Sequence, residues 1–143
     1  MSILTQKTIS KKISVAGIGI HTGLNVKLDI FPAHPNTGII FKRTDIKNNN
    51  IIIPTYNNVI DATLCTTISN NYGVKVSTIE HLMGAFYGLG IDNVTVELNS
   101  QEVPIMDGSA KQFVEMILQA GIQSSEAPIK VIKVEQQIEV REG

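Results

Sequence analysis

The sequence predicts an α+β fold, a two-layer domain in which a mainly antiparallel sheet is covered by two helices. Two segments, 78–89 and 109–120, show apolar residues at helical spacing, and short β-like segments surround both of them. A chain of 143 residues has the length of one domain and can bury a sizeable core. These observations favour one layer of sheet and one layer of helices.

The predicted strands lie mostly before the first helix. Thr8–Val15 is predicted as one strand, and Gly17 and Gly19 then mark a bulge or bend. Further β-like segments, several of them alternating apolar and polar residues, are 26–31, 38–43, 51–53, 66–69, 74–76 and 94–98. Asn- and Gly-containing turns are predicted at 48–50 and 70–73.

The first helix is predicted over Thr78–Leu89, ending near Gly88 and Gly90. Ser77 and Glu80 have the spacing of a capping box, in which the serine oxygen and the glutamate carboxylate bind each other's backbone N–H. The apolar face that meets the core consists of Ile79, Leu82, Met83, Phe86 and Leu89.

The opposite face of this helix carries Glu80, His81, Gly84 and Gly88. Each glycine costs roughly 1 kcal/mol relative to alanine inside a helix, and an exposed helix gains nothing in return. We therefore interpret this face as a second contact surface, approached by another backbone or by a ligand. The alternative is an ordinary solvated face.

The second helix follows Asp107-Gly108-Ser109, with a second capping-box spacing between Ser109 and Gln112 and an end at Gly121. Its apolar face consists of Phe113, Val114, Ile117 and Leu118. Residues 124–128 are predicted as a linker and 129–140 as a strand. We therefore assign 1–126 to a first α+β domain and 127–143 to a linker and the opening strand of a second domain.

Composition excludes several functional classes. Twelve Lys and Arg against thirteen Asp and Glu give a net charge of −1, and no basic run indicates a nucleic-acid partner. The first twelve residues lack the apolar core of a signal peptide, and no apolar run is long enough for a transmembrane segment. The lone Cys65 excludes an internal disulfide. We expect a cytoplasmic protein.

Taken by itself, each candidate for chemistry is ambiguous. Gly17 and Gly19 do not make a dinucleotide-binding loop, because Thr22 stands where the third glycine is required. His21 is more simply a structural histidine, and His34 a loop histidine. No His or Cys pair has metal-binding spacing, although catalytic zinc needs about three protein ligands. Cys65 lacks a neighbouring base that would make it a nucleophile.

Read together, however, several segments resemble one family, the zinc-dependent UDP-3-O-acyl-N-acetylglucosamine deacetylases of bacterial lipid A synthesis. The segments are VAGIGIHTG (15–23), FKRTD (41–45), LCTT (64–67), STIEHL (77–82), GLGIDN (88–93) and VPIMDGSA (103–110). The resemblance runs in order from about Gln6 to the end of the chain. It implies two similar domains, with the active site between their helical layers.

The resemblance also implies roles for single residues. His81 is expected to be a zinc ligand, and Glu80 the general base that draws a proton from water. His21 resembles a histidine near the rim of the active site, and Thr63, Leu64 and Cys65 resemble the segment that lines the approach of the acyl chain. The remaining zinc ligands and the general acid belong to the family's second domain.

The expected function is therefore that of the first half of a deacetylase, inactive without its second domain. The rival interpretation is a non-catalytic binding or scaffold module that retains the fold. In that case Glu80 only caps the helix, and His81 is a surface residue.

Overall fold

A computed structural model describes residues 4–142. Its strands are β1 (Thr5–Ile9), β2 (Ile13–Ile18), β3 (Asn25–Pro32), β4 (Ile39–Arg43), β5 (Ile51–Ile52), β6 (Val59–Asp61), β7 (Thr67–Ser69), β8 (Lys75–Val76), β9 (Val94–Leu98) and β10 (Ile122–Pro128). The helices are α1 (Glu80–Leu89) and α2 (Lys111–Ala120), and a short 3-10 turn covers Tyr56–Asn58. Within the described residues, neither helix is long and apolar enough to cross a membrane.

Three sheets organise these strands. The largest has the order β2-β3-β9-β4-β5 and is antiparallel except between β4 and β9. A second sheet has the order β6-β7-β8, and β1 pairs with β10 in a third. The two helices contact each other, and α2 also contacts β2. The predicted α+β fold with a mainly antiparallel sheet and two helices is confirmed.

The core lies between the helices and the five-stranded sheet. Alternate residues of β3 and β9 point into it, as the period of two in an extended strand requires. From α1, Leu82 and Phe86 are fully buried, and Met83 and Leu89 pack against them, so the predicted apolar face is confirmed. From α2, Phe113 and Ile117 are buried, whereas Leu118 is more than half exposed and lies off the core face.

The predicted strand 8–15 is wrong as a single element. The chain turns at residues 10–12, so that β1 pairs with β10 while β2 pairs with β3 in another sheet. The break is fixed by a distant contact, because the backbone N–H of Ser10 donates to the carbonyl of Gly121 at 2.8 Å. Gly17 lies inside β2 rather than at a bend, and Pro104 Cβ would stand 2.8 Å from any Cβ added there.

The predictions for the C-terminal segment are also corrected. Residues 124–128, expected as a linker, belong to β10, where the Ser125 hydroxyl donates to the carbonyl of Gln6 at 3.0 Å. Residues 129–140, expected as a strand, form no ladder pairing in the described chain, and all of them except Ile129 are exposed. A strand requires a pairing partner, and β1 at the other end of the sequence provides one only as far as Pro128. The assignment of 127–143 to a second domain stays a prediction.

Candidate active site

A cleft of about 510 Å³ opens beside the β6-β7-β8 sheet. Four residues singled out in the sequence, His21, Thr63, Leu64 and Cys65, line this cleft together. Its other lining residues are Thr22, Ile60, Asp61, Thr67, Lys75, Ser77, Gln101 and Glu102. Segments up to 81 residues apart in sequence therefore converge on one surface that can hold a small molecule.

The wall formed by residues 61–65 is shaped by a local turn. Asp61 Oδ1 accepts the backbone N–H of Thr63 at 2.9 Å and its hydroxyl at 2.8 Å. These two hydrogen bonds lower the pKa of Asp61 below its usual value of 3.8. Leu64, at the tip of the turn, is 82% exposed, and Cys65 Sγ lies 3.7 Å from the hydroxyl of Thr67. The turn thus presents an apolar side chain at the mouth of the cleft.

Glu80 is the first residue of α1 and is partly buried. Its Oε2 accepts the backbone N–H of Thr66 at 3.0 Å, and Thr66 stands between the lining residues Cys65 and Thr67. Glu80 itself is not among the residues that line the cleft. Its Oε1 has no hydrogen-bond partner within residues 4–142. One carboxylate oxygen is therefore anchored, and the other can accept a further hydrogen bond.

The predicted capping box at Ser77 is wrong. The backbone N–H of Ser77 donates to the carbonyl of Gln101 at 2.9 Å, and its hydroxyl oxygen accepts from the hydroxyl of Thr67 at 3.0 Å. The Ser77 N–H is therefore not available to the Glu80 carboxylate, no side-chain hydrogen bond caps the start of α1, and the helix begins two residues later than predicted. The capping box predicted at Ser109 is also wrong. The Ser109 hydroxyl accepts from the N–H of Lys111 at 3.1 Å rather than from the N–H of Gln112.

His81 is the second residue of α1, and it is partly buried outside the cleft lining. The helix face beside it is open. A Cβ added at Gly84 or Gly88 would meet nothing within 4 Å, and Tyr87 is 91% exposed. The interpretation of this face as a second contact surface stays a prediction.

The donors around Glu80 and His81 fit zinc only in part. An imidazole is a preferred zinc ligand, but catalytic zinc takes about three protein ligands. Over residues 4–142, no three His, Cys, Asp or Glu side chains come close enough to hold a metal ion. His81 therefore fits as one ligand of a larger set.

Sequence reasoning missed Glu102. Its side chain is completely buried, and its carboxylate accepts four hydrogen bonds. Oε1 accepts from the N–H of His21 and the hydroxyl of Thr78, and Oε2 accepts from the N–H and hydroxyl of Thr22, at 2.8–3.1 Å. Gly19 precedes a turn at residues 20–22, in agreement with the predicted bend, and a Cβ on Gly19 would also overlap the Glu102 carboxylate. A lone acidic residue between Gln101 and Val103 gave no local signal of this role.

Burial would raise the pKa of Glu102, but the hydrogen bonds from His21, Thr22 and Thr78 outweigh burial and lower the pKa below its usual value of 4.5. A lowered pKa stabilises the fold above the ordinary value, and this contribution is lost as the pH falls through the folded-state pKa.

We expect the difference in unfolding free energy between the native chain and Glu102→Gln to be constant from pH 7 to about pH 5. It should shrink as the pH falls further, because Glu102 becomes protonated. Urea unfolding of both proteins from pH 7 to pH 3 measures this. Other carboxylates titrate in both proteins and cancel in the difference, so a pH-independent difference would contradict the assignment.

Comparison with known proteins finds a single family over nearly the whole chain. The family model described as LpxC, UDP-3-O-acyl N-acetylglycosamine deacetylase, matches residues 6–143. A protein named UDP-3-O-acyl-N-acetylglucosamine deacetylase from Haemophilus influenzae (strain PittEE) is 43% identical to this chain over 142 residues. The protein of the same name from Haemophilus ducreyi is 44% identical to this chain over 141 residues. The Pasteurella multocida protein of the same name is 44% identical over 142 residues.

These alignments cover 99% of the chain but 46% of each relative, so the chain spans about half the length of the curated relatives it matches. The match includes both the cleft wall at 61–65 and the start of α1. The chain belongs to the UDP-3-O-acyl N-acetylglycosamine deacetylase family.

Proposed function

We propose that this chain forms part of a cytoplasmic, zinc-dependent deacetylase that removes the acetyl group of UDP-3-O-acyl-N-acetylglucosamine in lipid A synthesis. The observation that carries the proposal is the placement of Glu80, whose Oε2 is anchored by Thr66 beside the cleft and whose Oε1 can take a proton. Family membership supports the substrate class, because the relatives carry the name of this activity.

In this proposal, His81 supplies one imidazole nitrogen to zinc. Bound zinc would polarise the acetamide carbonyl and lower the pKa of a water molecule. Glu80 Oε1 accepts the proton of the attacking water as the water oxygen bonds to the acetamide carbon. The C–N bond then breaks, the amine takes up a proton, and acetate leaves.

The cleft is the proposed place for the rest of the substrate. Leu64 and Ile60 are exposed apolar side chains on its wall, suited to contact an acyl chain. Thr63 and Cys65 lie on the same wall, and His21, on the loop after β2, also lines the cleft. The Thr63 hydroxyl already donates to Asp61, so we assign Thr63 a role in shaping the wall.

The proposed site is completed by polypeptide beyond these residues. Zinc needs further ligands besides His81, and the leaving amine needs a proton donor. The open face of α1 at Gly84 and Gly88 is the proposed contact for that second domain. The relatives, about twice as long as the matched segment, have room for one.

The experiment compares the 143-residue chain with a chimera in which it replaces the matched segment of the Haemophilus influenzae (strain PittEE) deacetylase. Acetate release from UDP-3-O-acyl-N-acetylglucosamine is measured with and without a zinc chelator. We expect turnover by the chimera, its loss on chelation, and none by the chain alone. A folded, zinc-loaded chimera that releases no acetate would contradict the proposed activity, and turnover by the chain alone would contradict the need for a second domain.

A further inference from the structure

Glu102 connects the two parts of the chain that carry the proposed site. Through Oε2 it holds Thr22, and through Oε1 it holds both the loop N–H of His21 and the hydroxyl of Thr78. Thr78 stands two residues before the first residue of α1, which is Glu80. A single carboxylate therefore bridges the cleft loop and the segment that leads into the helix.

The backbone of Glu102 adds a second connection to the same segment. Ser77 and Glu102 form a parallel bridge, with Ser77 N–H donating to the carbonyl of Gln101 and Ser77 carbonyl accepting from Val103 at 3.0 Å. Thr78 has a φ of +59°, a left-handed conformation that a β-branched residue rarely adopts. Its hydrogen bond to Glu102 compensates this strain and fixes the direction in which α1 begins.

The charge of Glu102 is held entirely by neutral donors. None of the ion pairs found in residues 4–142 involves Glu102. Two backbone N–H groups and two hydroxyls take the place of its hydration, and Gly19 leaves room for the loop to close on it. Glutamine in this place would lose hydrogen bonds, because its NH₂ group would face N–H and O–H donors at one of the two positions now occupied by carboxylate oxygens.

We propose that Glu102 is a positioning residue of the deacetylase site, which sets the placement of the His21 loop relative to Glu80 and His81 at the start of α1. This inference rests on the proposed function for its catalytic consequence. The structural link itself does not depend on that function.

The link is tested by hydrogen exchange and amide NMR on the 143-residue chain carrying Glu102→Gln. We expect the His21 and Thr22 amides to exchange about 10-fold faster or more, because each loses a bond to a charged acceptor. The amide signals of Glu80 and His81 should shift, and those of β9 should stay in place. Glu97→Gln is the matched control, since it removes the same charge from an ion pair with Lys42 outside the cleft.

Unchanged exchange at His21 and Thr22, or a rise spread evenly over the chain as in general destabilisation, would overturn the inference. If Glu102→Gln does not fold, Thr22→Val removes one hydroxyl donor, and Thr22→Ser restores it. The valine variant should shift the Glu80 and His81 signals and the serine variant should return them, whereas equal spectra for the two would also overturn the link.

The catalytic consequence is tested in the chimera. Glu102→Gln should lower kcat about 10-fold or more at unchanged zinc content, because misplaced groups lose rate without losing the metal. An unchanged kcat beside altered exchange would limit Glu102 to a structural role and overturn its place in the site. An inactive parent chimera would count against the proposed function alone, since the exchange measurement still decides the link.

Discussion

Replacing Glu80 by glutamine in the active chimera is expected to lower kcat by about 10²–10⁴-fold, the usual contribution of a general base. An amide cannot take the proton that Glu80 Oε1 would receive. The amide oxygen can still accept the N–H of Thr66, so the start of α1 should keep its structure. Steady-state acetate release, with zinc content and urea unfolding measured on the same samples, separates lost chemistry from lost folding.

Glu97→Gln is the matched control for this experiment as well, because it makes the same substitution on β9, away from the cleft. It should change kcat less than about 2-fold, as a surface ion pair contributes little. If Glu80→Gln retained activity within about 3-fold of the parent, well short of a general-base effect, Glu80 would not be the base. The interpretation of this chain as a binding or scaffold module would then gain support.

The hydrogen bonds of Glu80 differ from those that the local sequence pattern predicts. The spacing of Ser77 and Glu80 is that of a capping box, yet Ser77 pairs with the backbone around Glu102, twenty-five residues later. That pairing occupies the backbone N–H of Ser77, and the Glu80 carboxylate binds the N–H of Thr66 instead. A capping box is a contact within four residues, and a competing contact between distant segments cannot be recognised from those four.

Strand predictions succeeded or failed for a related reason. Residues 94–98 form β9 as predicted, because this strand is central and its inward side chains alternate regularly with polar ones. The segment 122–128 is polar and carries little alternation, so only its partner β1 makes it a strand. The period of apolar residues along a sequence reflects which side chains are buried. An edge strand that buries few side chains therefore shows only weak alternation of apolar and polar residues.

The sequence likewise predicted only some residues of the candidate site. Family resemblance selected His21, Thr63, Leu64 and Cys65, and the structure places all four around one cleft. The group that joins the His21 loop to the helix start was not predicted, since Glu102 is a carboxylate that composition and spacing present as a surface charge. Its burial depends on donors from two distant segments, the loop at 21–22 and Thr78, which only the folded chain brings together.

Phe86→Ala is expected to destabilise the chain by about 3–5 kcal/mol, the range for truncating a buried aromatic residue to alanine. The Phe86 ring is 0% exposed and belongs to the face by which α1 packs on the core. The substitution removes these contacts and leaves a cavity that a helix tied at both ends cannot fill by moving. Its C-terminal end is held by the bond from Ile91 N–H to the Phe86 carbonyl at 2.8 Å. Urea unfolding of the 143-residue chain measures the loss.

Tyr87→Ala provides the control, because Tyr87 is the next residue of the same helix and is 91% exposed. The same truncation of an aromatic ring, at nearly the same helical position, should change stability by no more than about 0.5 kcal/mol. A loss below about 1 kcal/mol for Phe86→Ala would contradict the packing of α1 on this core. A loss at Tyr87 as large as at Phe86 would instead show that the chain in solution covers the face carrying Gly84 and Gly88, and its dependence on protein concentration would show whether a second copy covers it.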